Sequence, residues 1–107
     1  MASDPTPAPE STARLEATVV GRVQGVGFRF HALRAGRDLD LAGWVANEAD
    51  GTVHALAEGP RDALERFLSA LQAGPPAAIV ERVVVTWSDS TGTLGPFTIR
   101  SGAHRGD

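Results

Sequence analysis

The sequence predicts an α+β sandwich, a mostly antiparallel sheet with two helices on one face, in the order β-α-β-β-α-β. Three observations predict it. Leu15, Ala17 and Val19 alternate with Glu16 and Thr18, which is the period of a half-buried strand. Two later stretches carry apolar residues at helical spacing. Between them lies a hairpin centred on the turn pair Asp50-Gly51.

The elements follow in chain order. "LEATVVGRV", Leu15 to Val23, is rich in strand-forming residues. From Phe28 to Leu39 the apolar positions Phe28, Ala32, Ala35 and Leu39 recur at helical spacing and predict the first helix. "GWVANEADGTVHALAE" reads as two short strands joined around Asp50-Gly51. Pro60, following Gly59, fits the first position of a second helix. Leu64, Phe67, Leu68 and Leu71 then fall on one helical face, and Gly74-Pro75-Pro76 stops the helix. "IVERVVVTW" is a further strand, and "PFTIR", Pro96 to Arg100, a short last one. Met1 to Ala13 is rich in Pro, Ser, Thr and Ala without apolar periodicity, so residues 1–13 are expected to form a flexible tail. The same holds for Ser101 to Asp107, which leaves one domain over residues 14–100.

Composition narrows the function classes. A chain of 107 residues is one domain with a modest core. The absence of cysteine excludes disulfides, zinc thiolates and thiol chemistry. A net charge of −3 argues against a general nucleic-acid binder and leaves room for a small positive pocket. "MASDPTPAPESTA" has neither the basic start nor the apolar run of a signal peptide or membrane anchor. A soluble cytoplasmic protein with no membrane or nucleic-acid partner is the expectation.

The informative stretch is "GRVQGVGFRF", Gly21 to Phe30, where a strand runs into closely spaced glycines and Arg29 opens the next helix. Backbone N–H groups at a helix start carry partial positive charge, so a cation there is misplaced unless an anion sits between them. The amides of Val23, Gln24, Gly25, Val26, Gly27 and Phe28 could wrap one small tetrahedral anion, and Arg29 would add a fork of donors to its oxygens. No Lys-Ser/Thr pair follows the last glycine, as a P-loop needs, and Gly25 and Gly27 lack the third glycine of a dinucleotide fingerprint. The pattern suits a single phosphoryl group. Taken alone, the glycines fit slightly better a tight turn with Arg29 on the solvated surface. Asn47, at the end of "GWVAN", fits better, taken alone, as the start of the turn toward Asp50-Gly51.

Together the segments "GRVQGVGFR", "GWVAN", "DGTV", "EGP" and the terminal Phe97-x-Ile99-Arg100 resemble the acylphosphatase family, across nearly all of the compact region. The resemblance implies a ferredoxin-like fold and hydrolysis of carboxylic–phosphoric anhydrides without metal or cofactor. Its substrate is a small-molecule acyl phosphate, and a monomer is the expected state. On the matching positions, Arg29 would hold the phosphate with the loop amides, and Asn47 would place the attacking water. A carboxylate leaving group departs with little protonation, so the want of a general-base motif agrees with this chemistry.

The sequence departs from the family pattern in places. Ala46 stands where arginine is common, which is expected to bear on substrate affinity, and Asp40 where glycine is frequent. Gly36 interrupts the first helix, and Ser101 replaces a common tyrosine. His31, His54 and His104 show no metal-ligand spacing and are read as surface residues. Arg22 beside the loop fits either added positive potential or a solvated role. Glu58 and Asp62 could pass for a catalytic carboxylate pair, but Asp62 suits the positive start of the second helix. Trp44 and Trp87, without a basic face, point to packing more than to base stacking. The competing function is a non-catalytic regulatory module that binds phosphate or acyl phosphate.

Overall fold

Strand alternation sets the sheet, and the computed structural model, which describes residues 11–101, shows how it is laid out. The elements are β1 (Thr12–Arg22), α1 (Phe28–Asp38), β2 (Ala42–Asn47), β3 (Val53–Pro60), α2 (Arg61–Ala73), β4 (Ile79–Ser88) and β5 (Thr98–Ile99). They form one sheet in the order β4-β1-β3-β2-β5. The first three neighbour pairs are antiparallel, and β5 adds to β2 in parallel. This is the ferredoxin-like arrangement that the sequence predicts.

The β1–β3 register pairs Leu15 with Ala57, Ala17 with Ala55 and Val19 with Val53. These six side chains are buried and share the face that both helices cover. Helix α1 presents Phe28, Ala32 and Gly36 to it, and α2 presents Ala63, Leu64, Phe67 and Leu71. Phe97, just before β5, closes the core edge-on against Phe67, with ring centroids 5.3 Å apart. The opposite face carries Arg14, Glu16, Thr18, His54, Leu56 and Glu58 and, among the described residues, has no helix over it.

Gly36, which looked from sequence like a weak point of α1, has a packing reason. A Cβ on it would lie 2.6 Å from Cγ of Phe97, so glycine is what lets the helix approach that ring. Two boundaries also differ from expectation. Thr12 and Ala13, assigned by composition to the tail, belong to β1 and pair with Pro60 and Gly59. Pro60 ends β3 and occupies the cap position of α2, one residue before the helix. Its missing N–H costs nothing there. The rest of the N-terminal tail, residues 1–10, and residues 102–107, including His104, lie outside the described residues.

Candidate active site

The site is built where β1, α1 and β2 end or begin on one edge of the sandwich. The β1–β4 register shifts between Val20 and Gly21, with Glu81 the extra residue on β4, and close pairing resumes at Gly21–Val80 and Arg22–Ile79 up to the end of β1. Gly21 permits it, because a side chain there would collide with the Ile79 carbonyl. The chain then dips into the core at Val23, which is 1% exposed, and rises again through Gly25 and Gly27. Gly27 caps α1 in the left-handed conformation, with φ 83° and ψ 17°. A residue with a Cβ would pay roughly 1–2 kcal/mol there.

Helix α1 starts without a side-chain cap and without an acidic residue in its first turn. Its first-turn N–H groups have no acceptors within the helix, and the helix dipole adds partial positive charge at the same point. Both features suit an anionic ligand. Asn47, the last residue of β2, pairs with Val53 and lies on the helix-covered face, 3% exposed. Val23, Gly25, Gly27, Phe28, Arg29, Phe30 and Asn47 together line a cavity of about 120 Å³.

Of the residues expected from sequence, Arg29, Asn47, Val23, Gly25, Gly27 and Phe28 are thus brought together. Gln24 and Val26 are not among the lining residues. Val26 packs partly buried against the core. Gln24 turns its side chain away from the loop, and Nε2 donates to the carbonyls of Glu48 (2.8 Å) and Thr52 (2.9 Å). This side chain therefore ties the glycine loop to the turn that follows Asn47. That turn is itself stapled: Thr52 donates from N–H (3.0 Å) and hydroxyl (2.7 Å) to Oδ1 of Asp50. Those bonds, the hydroxyl's first and the amide's second, hold the Asp50 pKa below its ordinary value. Phe30 is the lining residue that the sequence reading left out; its position directly after Arg29 was the available signal.

Ala46 sits beside Asn47 in sequence but on the other side of the sheet, opposite His54 and away from the cavity. Ala46 is not among the residues that line the cavity. Arg22 is exposed and outside the cavity lining. The surface assignment of two histidines needs correction. His31 is half-buried and its Nε2 lies 2.8 Å from the Ala70 carbonyl, joining α1 to α2. His54 is half-buried between Glu16 (2.8 Å) and Glu48 (3.6 Å), with its ring edge-on to Trp44. The tryptophans pack as expected, each beneath a guanidinium: Arg100 over Trp44 and Arg61 over Trp87. Glu58 and Asp62 do not form a pair that could act together, since Glu58 is bound to Arg14 and Asp62 stands in the first turn of α2. Among the described residues no three His, Asp or Glu side chains gather as a metal-ligating group, and no helix is long and apolar enough to cross a membrane.

Comparison with known proteins identifies the family. The acylphosphatase family model matches residues 15–99. An acylphosphatase of Salinibacter ruber is 51% identical over 87 residues, covering 81% of this chain and 92% of the relative. One of Thermus thermophilus is 49% identical over 82 residues, covering 77% and 93%. The crystal structure of acylphosphatase from Bacillus subtilis superposes with a TM-score of 0.79 at 42% identity, covering 82% of this chain and 98% of that one. With the family model running from Leu15 within β1 to Ile99 at the end of β5, and the glycine loop, Arg29 and Asn47 all inside the matched region, the chain belongs to the acylphosphatase family.

Proposed function

We propose that this chain is an acylphosphatase, hydrolysing the carboxyl–phosphate bond of small acyl phosphates to a carboxylate and inorganic phosphate. The observation that carries the proposal is the cavity that brings Arg29, Asn47 and the glycine loop to one point. In this reading the phosphoryl oxygens sit on the loop and first-turn amides, braced by the Arg29 guanidinium. The side-chain amide of Asn47 orients a water on the phosphorus. As the water oxygen bonds to phosphorus, the bond from phosphorus to the acyl oxygen breaks, and the carboxylate leaves with its electron pair. The remaining water proton passes to a phosphate oxygen, so the phosphate leaves as its dihydrogen anion.

The physical demands of the step match what these residues supply. In a loose phosphoryl-transfer transition state bond breaking runs ahead of attack, so a strong base gains little. Charge on the equatorial oxygens must be neutralised and the water positioned, which amides, a guanidinium and an asparagine can do without a metal ion. A site formed within one chain supports action as a monomer, and the net charge of −3 speaks against a nucleic-acid substrate.

Release of inorganic phosphate from an acyl phosphate, in chelator-treated buffer, tests the proposal. The wild-type chain is expected to turn over, and Arg29→Ala to lose about 10³-fold or more, the scale of an arginine bracing a transferred phosphoryl group. Arg29→Lys should recover little, because an ammonium cannot make the two-pronged contact. A folded wild-type chain that binds inorganic phosphate but releases none from acyl phosphates would instead be a binding module.

A further inference from the structure

Phe30 is the most exposed large apolar side chain among the described residues, with 66% of its surface open, ahead of Ile79 and Val84 on β4. It differs from those two in lining the anion cavity, three residues beyond the Gly27 cap. The fold does not call for it. Phe30 is outside the core cluster, and phenylalanine is a poorer helix former than alanine.

Size decides what the ring can meet. At about 120 Å³ the cavity is well below the roughly 300–1,000 Å³ of pockets that enclose a drug-sized ligand. It accommodates a phosphoryl group, and the acyl group must lie at the mouth. On one side of that mouth Gly25 and Gly27 present no side chain, and a Cβ on either would find nothing within 4 Å. Of the apolar side chains lining the cavity, Val23 and Phe28 are buried, so among these residues the ring of Phe30 is the exposed surface offered to the emerging acyl group. An aromatic side chain offers a large rigid face at low entropic cost, since only two torsions must be fixed.

Building on the acyl-phosphate hydrolase reading, we propose that Phe30 is a specificity-determining residue whose ring packs against the acyl group and favours aromatic or extended apolar acyl phosphates over acetyl phosphate. The test measures kcat and KM with benzoyl phosphate and acetyl phosphate for the wild type, Phe30→Ala and Phe30→Tyr. In the alanine variant the benzoyl-to-acetyl ratio of kcat/KM should fall about three- to tenfold, through a raised KM for benzoyl phosphate, and tyrosine should restore it. An unchanged ratio in Phe30→Ala, or a loss confined to kcat and equal for both substrates, would overturn the proposal while leaving the hydrolase reading intact. No phosphate release by the wild type from either compound would overturn both.

Discussion

Arg14 and Glu58 face each other across β1 and β3 on the helix-free side of the sheet, with Nε 2.7 Å from Oε2. Glu58 is 6% exposed and accepts three further bonds: the Thr91 N–H (2.9 Å) and hydroxyl (3.0 Å), and the Gly92 N–H (3.0 Å). One carboxylate thus fastens the connection between β4 and β5 onto the sheet. Burial by itself would raise its pKa. The Thr91 amide, Arg14, the Gly92 amide and the Thr91 hydroxyl overcome that and bring it down to about 2.

A dependence on acid follows. The folded-state pKa of about 2 lies below the ordinary 4.5, so the stabilisation is complete above that value and is lost as pH falls toward 2. Its size is on the order of 3 kcal/mol. Urea unfolding of wild type and Glu58→Gln should differ by about 2–3 kcal/mol near pH 7 and by under about 1 kcal/mol near pH 2.5. Parallel pH profiles for the two proteins would show that another group governs acid unfolding.

The end of α1 can be improved. Asp40 holds φ 56°, its N–H bonds the Arg37 carbonyl (3.1 Å), and the Leu41 N–H bonds the Gly36 carbonyl (2.9 Å). This is the Schellman closure, in which glycine is the unstrained choice. A carboxylate beside the negative end of the helix is also misplaced. Asp40→Gly should therefore raise stability by about 1 kcal/mol, or roughly 4–8 °C in Tm for a domain of this size. Gly36→Ala should do the opposite. Its gain in helix propensity of about 0.8–1.0 kcal/mol is set against about 1–3 kcal/mol for forcing a methyl group into Phe97.

These two substitutions mark where the sequence is legible. The strand at Leu15–Val19 and the helix carrying Leu64, Phe67 and Leu71 announce themselves by period, because one face of each must be buried. Asp40 is legible because a left-handed position after a helix is a local demand. Gly36 is not, since its reason is a ring 61 positions away. The start of β1 was hidden because Thr12 and Ala13 share the tail's composition and are held by pairing with Gly59 and Pro60. Cross-strand register likewise decides that Glu58 meets Arg14 and that His54 lies against Glu16. For the candidate site, the loop and Arg29 stood in one continuous motif, whereas the second use of Gln24 appears only once the hairpin turn is beside it.

Gln24 supplies the next prediction. Its two bonds to the Glu48 and Thr52 carbonyls hold the glycine loop and the turn after Asn47 in fixed relation. Displacing catalytic groups by about 1 Å can cost about 10²-fold in rate. Gln24→Ala should lower kcat/KM for an acyl phosphate by about 10–100-fold and raise the inhibition constant of inorganic phosphate. Gln24→Glu should be worse, because it sets a carboxylate against two carbonyl oxygens. Kinetics indistinguishable from wild type in both variants would show that the loop keeps its shape without this tether.

Asn47 allows binding and chemistry to be told apart. Its side chain is buried at the end of β2 and lines the same cavity as Arg29, so it can reach either the phosphate or a water beside it. If it positions the water, its contribution is made chiefly in the transition state. Asn47→Ala should then reduce kcat by about 10²-fold or more while inorganic phosphate inhibits nearly as well as before. Asn47→Asp keeps the shape but brings negative charge toward the phosphoryl oxygens, so it should lose phosphate affinity as well as rate. The contrast between the two variants carries the assignment. Should phosphate affinity collapse in Asn47→Ala with kcat largely kept, the asparagine holds the phosphate, and the attacking water is oriented by some other group in the cavity.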